Sequence, residues 1–371
     1  MSTPYKLDAE RHESIYANKI AARYLPRSKP QEQPTAVITG GQPGSGKSSL
    51  TALAVNQFRD SGYVLVDADK LRPFHPDYSR LMRTDDRNAA NLTHADCGPW
   101  ANRLLRDGVE GRRNIIIDQT SRDPEALAKM TVGLRQAGYR VELHVMAVAA
   151  AVSEQRIHER YEGQKEASGF GRFSTKDKHD EAYAGVHATV GAAERGNLVD
   201  RLVLYDKSAQ PIYENRLENG AWRSAPGADQ AMKAERTRPM TLQERREYAA
   251  GFDALADKLA RPERKATPEE VGRIAEMQRN ARSLLAAEVF RQEKPEAAMR
   301  QFPELATAYA NVRAIEAKTN SERLTAQQRE TVMARVRENV AASIERGDAA
   351  KVVRAEPERV SHRSQERDLE R

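Results

Sequence analysis

The chain has 371 residues and a mass of 41.5 kDa, enough for two or three domains. Its 60 Lys+Arg and 54 Asp+Glu leave only +6, and aromatics are 6%, a dense but balanced charge that does not favour a nucleic-acid binder. A single cysteine, Cys97, excludes an internal disulfide or a cysteine-cluster metal site, and no apolar run nears the ~18 residues of a membrane span or forms a signal-peptide core, so a cytoplasmic setting without membrane contact is expected.

In chain order, an amphipathic helix is predicted over Asp8–Tyr24. A short buried strand, Thr35–Thr39, leads through a glycine-rich loop into a helix over Lys47–Phe58. A second strand follows at Tyr63–Val66, a helix at Asn91–Gly108, and a third strand at Asn114–Ile117. Asp123-Pro124 reads as an N-cap with proline at the first helical position, opening a helix to Ala137. A strand over Tyr139–Val148, helices over Ala149–Tyr161 and Thr175–Arg195, and strands at Leu202–Tyr205 and Pro211–Tyr213 complete the series. Strand–helix alternation of this kind predicts an α/β fold with a mostly parallel sheet covered on both faces, over residues 1–217.

The composition changes after about residue 230. Of 21 glycines only Gly251, Gly272 and Gly347 lie beyond it, and that part carries 28 Lys+Arg and 24 Asp+Glu. Residues 218–240 read as a linker. Residues 241–350 read as an all-α bundle or coiled-coil region, with 351–371 a disordered polar tail. Three apolar stripes are predicted there: Tyr248, Phe252, Leu255 and Leu259; Val271, Ile274, Met277 or Ala281, and Leu285; Val332 or Met333, Val336, Val340 and Ile344. Capping boxes are expected at Thr241 with Glu244, Thr267 with Glu270, and Thr325 with Gln328. The alternative is a set of solvated helices.

Four features carry chemistry. Gly40-Gly41-Gln42-Pro43-Gly44-Ser45-Gly46-Lys47-Ser48-Ser49 contains G-x-x-x-x-G-K-[ST] between strand and helix. In such a loop backbone N–H groups converge on phosphate, the lysine reaches the β- and γ-phosphates, and the serine hydroxyl, here Ser48, is a Mg²⁺ ligand. Asp118 ends the third strand, at the sheet edge where ligands bind. Asp67 and Asp69 follow the second strand at a spacing that sends both carboxylates the same way, or else they form a turn. Arg156, Arg160 and Arg172 offer charge to a transferred phosphoryl group, or else sit on a solvated face.

Together GGQPGSGKSSL, DADKLRPFHPDY, THADCGPWAN, IIIDQTSR, YRVELHVMAV, ERYEG and GRFSTKDKHD resemble, in order and spacing, the zeta-toxin family of P-loop kinases over roughly residues 8–215. The resemblance implies a kinase that uses ATP (or GTP) with Mg²⁺ to phosphorylate the 3′-hydroxyl of UDP-N-acetylglucosamine, blocking peptidoglycan synthesis as the toxin of a toxin–antitoxin pair. It implies that residues Gly41 to Ser49 hold the nucleotide and that Asp69 is the general base. It further implies that Asp118 and Thr120 contact the sugar nucleotide, and that Arg160 and Arg172 clamp the γ-phosphate. An antitoxin would dock on the N-terminal helix and block the ATP site. Two departures bear on the acceptor: the strand-three acid, usually Glu followed by Gly, is Asp118 followed by Gln119, and the Arg160–Arg172 spacing looks one residue short. Two other readings remain: a P-loop kinase with another small-molecule or polynucleotide acceptor, and a nucleotide-gated interaction protein of conjugation or secretion machinery whose C-terminal helices bind a protein partner.

Overall fold

Ala36, Val37 and Ile38 are apolar, consecutive and wholly buried, the pattern of a strand covered on both faces. In the structure, a computed structural model that describes residues 5–322 and 324–348, they form the middle of β1 (Thr35–Gly40). A seven-stranded sheet has the order β2-β3-β1-β4-β5-β6-β7. β2 (Val64–Val66), β3 (Ile115–Asp118), β4 (Arg140–Met146) and β5 (Arg201–Tyr205) run parallel with β1, whereas β6 (Pro211–Glu218) and β7 (Ala221–Trp222) are antiparallel.

The two faces of β1 divide the core. Val37 and Ile116 pack with Ala54 and Phe58 at the end of the helix after the glycine-rich loop. Ala36, Ile38, Ile115 and Ile117 join a larger cluster with Trp100, Leu104, Leu127, Val186 and Met232. α1 (Ala9–Ile15), continued through a π turn into α2 (Ala22–Tyr24), packs in the larger cluster, and α3 (Lys47–Gln57) covers the Val37 face. Then come α4 (Ala68–Leu71), α5 (Tyr78–Thr84), α6 (Ala89–Leu92) and α7 (His94–Glu110), followed by α8 (Pro124–Gln136), α9 (Ala150–Ser168), α10 (Lys176–Arg195) and α11 (Ala228–Thr237). Asp123 caps α8 by accepting from Glu125 N and Ala126 N, as the Asp-Pro pair predicts.

The N-terminal helix spends its apolar stripe inside the fold. Ile15, Tyr16 and Ile20 are buried, Trp100 Nε1 donates to His12 O at 3.1 Å, and Tyr16 donates to Asp107. Its polar face, with Glu10, Arg11 and Ser14, is exposed.

The chain divides into two compact units, one of residues 1–240 and 251–267, the other of 241–250 and 268–371. This differs from the boundaries read from composition. Residues 218–240 are not a bare linker: they hold the end of β6, a turn at Asn219 (φ 53°) and Gly220 (φ 81°), β7 and α11. Ala228 and Met232 are fully buried, which anchors one face of α11 in the core. The second half of α12 (Leu242–Ala260) also packs in the first unit. A Cβ on Gly251 would lie 2.6 Å from Glu159 Oε1 and 2.7 Å from Gln155 Nε2, so side chains of α9 lie directly over this turn of α12.

In the second unit α13 (Pro268–Gln292), α14 (Pro295–Gln301), α15 (Leu305–Ser321) and α16 (Ala326–Glu345) enclose a core of Ala287, Val289, Phe290, Leu305, Met333 and Ile344. Of the sequence alternatives, Met333 faces inward while Val332 is 39% exposed, and Ala281 is buried. Thr325 and Gln328 form the expected capping box; Thr241 and Glu244 bond reciprocally in the same way. The tail expected at 351–371 lies outside the described residues.

Candidate functional site

The loop between β1 and α3 has a shape that only its glycines permit. Gly44 has φ 78° and Gly46 φ 92°, both left-handed, where a side chain is strained. A Cβ on Gly44 would in addition sit 1.9 Å from Ser153 O. Loop backbone and the start of α9 are therefore in direct contact. Gln42 seals that contact. Its Nε2 donates to Val148 O at 2.8 Å and to Ser153 Oγ at 3.1 Å, and its Oε1 accepts from Arg236 Nη2 at 3.0 Å.

Lys47 opens α3, and its Nζ donates to Gly41 O at 2.8 Å, folding over the loop. Burial lowers its pKa; Asp118 and Asp69 act against that, while Arg160 and Arg172 add to it. Ser48 is exposed. Ser45 Oγ is buried with no hydrogen-bond partner, an open polar atom within a cradle suited to anionic oxygens.

The two acids after β2 take separate parts. Asp67 caps α4, its Oδ1 accepting from Asp69 N at 2.8 Å and Lys70 N at 3.4 Å. Burial, with the neighbouring charges of Asp118 and Asp69, pushes it up to about 6. Asp69 lies in the first helical turn, so the strand alternation expected to align the two carboxylates does not extend to it. Its Oδ1 accepts from Arg72 Nε at 2.8 Å, and its Oδ2 pairs with Arg172. Burial acts to raise its pKa, but Arg172 and Arg72 together hold it below the usual carboxylate range.

Asp118 ends β3 in register with Thr39 of β1. Its Oδ2 accepts from Thr51 Oγ1 at 2.8 Å and its Oδ1 from Thr39 Oγ1 at 3.4 Å. Thr51 is one helical turn beyond Ser48, so the Asp118 carboxylate is held against α3. Gln119 donates to Ser121 Oγ at 3.3 Å.

Arg160 projects from α9 and donates to Ser174 Oγ at 3.3 Å, its Nε without a partner. Burial, then the neighbouring Arg172 charge, brings it down to about 10. Arg172 follows the left-handed Gly169 that ends α9.

These groups converge on one cleft of about 790 Å³ at the C-terminal edge of the parallel strands. It is lined by Gln42, Gly44, Gly46, Lys47, Ser48, Asp69, Asp118, Thr120, Arg160 and Arg172 among the expected residues. Gly41, Pro43, Ser45 and Ser49 do not line it: Gly41 and Ser45 are buried, Pro43 is half-buried and Ser49 faces solvent on α3. Lys70, Tyr78, Met82, Gln164 and Phe170 line it too and were not singled out by spacing. Arg72 was also missed; its only sequence signal is the i,i+3 offset from Asp69. Among the described residues no group of three or more His, Cys, Asp or Glu could hold a metal alone.

A family model described as Zeta toxin matches residues 21–218. Toxin zeta of Streptococcus agalactiae is 24% identical over 243 residues, 62% of this chain and 83% of its own. Toxin PezT of Streptococcus pneumoniae is 24% identical over 189 residues, 51% of this chain and 74% of its own. A solved structure from the PezAT chromosomal toxin–antitoxin system of Streptococcus pneumoniae aligns with a TM-score of 0.60 and 19% identity, covering 69% of this chain and 100% of that one. At that identity the structural likeness bears on the fold.

Proposed function

The chain belongs to the zeta toxin family, and we propose that it is an ATP-dependent kinase for the 3′-hydroxyl of UDP-N-acetylglucosamine, acting as the toxin of a toxin–antitoxin pair. The observation that carries this reading is the meeting of Lys47, Asp69, Asp118, Arg160 and Arg172 in one cleft beside a loop shaped for phosphate. A nucleotide-gated binding module needs the loop but not a carboxylate and two arginines opposite it.

In the reaction the acceptor hydroxyl oxygen bonds to the γ-phosphorus, the bond to the ADP oxygen breaks, and Asp69 takes the hydroxyl proton. A carboxylate held below its usual range is fully ionised at neutral pH and suits late proton transfer. Lys47, Arg160 and Arg172 would neutralise the phosphoryl oxygens. Mg²⁺, with Ser48 as candidate ligand and Asp118 nearby, would add charge neutralisation when bound. Arg172 pairs with Asp69 in this conformation, so both roles require Arg172 to pass from the carboxylate to the phosphoryl group. Nucleotide binding then frees the base. An antitoxin would act at the exposed face of the N-terminal helix and over the nucleotide cleft.

A second reading rests on Asp118. With its carboxylate bound by Thr51, Gln119 and Thr120, which also line the cleft, would share in choosing the acceptor, and a different alcohol would fit as well. Incubating the full chain with ATP, Mg²⁺ and UDP-N-acetylglucosamine, and reading products by mass spectrometry, separates these. A singly phosphorylated sugar nucleotide is expected. ATP turnover only with another alcohol favours the second reading, and ATP binding without transfer favours the gated interaction protein.

A further inference from the structure

Arg236 is a charged side chain in an unexpected place. It sits in the last turn of α11, beyond the family-matched segment, and is 5% exposed. The helix that carries it is firmly placed. Glu194 Oε2 accepts from Gly227 N at 2.9 Å and from Ala228 N at 2.8 Å at the helix start, and Ala228 and Met232 fill the core.

The contacts of the guanidinium are all neutral. Nη1 donates to Tyr183 O at 2.7 Å, Nη2 donates to Gln42 Oε1 at 3.0 Å, and the group lies 4.0 Å from the Tyr183 ring centroid. Nε has no partner. Among the described residues no carboxylate lies within ion-pair distance of it. A buried charge without a counter-ion is costly to keep, and burial brings this one down to about 10. Its one contact toward the site is Gln42, a residue of the phosphate loop that lines the cleft. Arg236 does not itself line the cleft; its charge reaches the loop through Gln42.

The contact also fixes the loop. Gln42 must present its amide nitrogen to Val148 O and Ser153 Oγ. A cationic donor at Oε1 allows only that orientation, because a flipped amide would set NH₂ against the guanidinium and oxygen against Val148 O.

We propose that Arg236 is a positioning residue of the nucleotide site: its charge orients Gln42 and complements bound phosphates through the loop, which makes the segment after residue 218 part of the nucleotide-binding machinery. This rests on the reading of the loop as a triphosphate site.

The test compares dissociation constants for ATP and for adenosine in the full chain, as wild type, Arg236→Met and Arg236→Lys. Arg236→Met should weaken ATP on the order of tenfold or more and leave adenosine within about twofold. Arg236→Lys should recover most of the ATP affinity. Arg236→Met binding ATP within twofold of wild type overturns the proposal, as does equal weakening of ATP and adenosine. Should Arg236→Met not fold, Arg236→Gln, which keeps donors without charge, must show the same selective loss. Absence of ATP binding by the wild type would instead remove the triphosphate reading itself.

Discussion

Replacing Gly44 and Gly46 by alanine separates two constraints on the phosphate loop. Both glycines have left-handed φ, 78° and 92°, so each substitution carries the cost of an L-residue there, about 1–2 kcal/mol. Their surroundings differ. The nearest atom to a Cβ on Gly46 is Arg156 Nη1 at 3.6 Å, an ordinary contact with a flexible side chain. A Cβ on Gly44 meets Ser153 O at 1.9 Å and must retreat to at least 3.0 Å. Ser153 cannot yield freely, because its N–H is bonded to Ala149 O and its hydroxyl receives Gln42. The loop has to move by roughly 1 Å, a displacement that at a positioning element is worth about a hundredfold in rate. Urea unfolding should give a loss of about 1–2 kcal/mol for Gly46→Ala and about 3 kcal/mol or more for Gly44→Ala. Turnover should fall about a hundredfold for Gly44→Ala and far less for Gly46→Ala. Equal losses in the two variants would refute the argument from the Ser153 carbonyl.

Other outcomes follow from the same geometry. Lys47→Ala and Asp69→Ala should each lower turnover at least about a hundredfold, roughly 2.7 kcal/mol of transition-state stabilisation; near-wild-type rates for Asp69→Ala would take the base role from that residue. Asp67 is raised from 3.8 to about 6 in the fold, so the folded state holds its proton longer than the unfolded chain and wild-type stability falls as pH rises between those values. Asp67→Asn keeps the cap and should unfold later than wild type at pH 7, the gain fading toward pH 4; a gain that persisted at pH 3 would contradict this. Arg264 binds Glu162 through Nε at 2.6 Å and Nη2 at 3.0 Å with both side chains largely buried. Arg264→Ala strands that carboxylate and should cost about 3–5 kcal/mol in denaturant unfolding, whereas a cost under about 1 kcal/mol would mean that residues 251–267 do not depend on this pair.

What the sequence disclosed depended on whether backbone geometry constrains residue type. The phosphate loop was legible because Gly44 and Gly46 occupy φ values that other residues avoid, and Lys47 and Ser48 then follow at fixed offsets. Asp118 was legible as the polar end of an apolar parallel strand. Asp67 and Asp69 were found as a pair but not sorted. The strand ends at Val66, so the first acid caps and the second turns inward on the helix, and period-two reasoning fails within one residue. Arg72 gave no signal beyond its offset, because its part is set by Asp69, Ala90 and Thr93 meeting it in space.

Residues 218–240, read as a linker, hold β7 and α11, and the reason that this was not legible is physical. Composition averages over a segment, and α11 has little apolar content to show: of its ten residues only Ala228, Met232 and Arg236 are buried. A stripe one residue wide, with an arginine in it, has the polarity of a linker. The hairpin before it did carry a local signal, Asn219-Gly220, whose two left-handed residues suit a tight turn. The same holds for Gly251, which looks like a stray glycine in a helix until Glu159 and Gln155 are seen against it. In each case the decisive contact is with α9, α10 or the phosphate loop, far away in the chain. The glycine-poor character of the region after residue 230 is real, yet residues 228–237 and 251–267 belong with the kinase-like unit. Charge density therefore marks surface, not domain membership, and the buried arginine that looked most like linker is the one that reaches the phosphate loop.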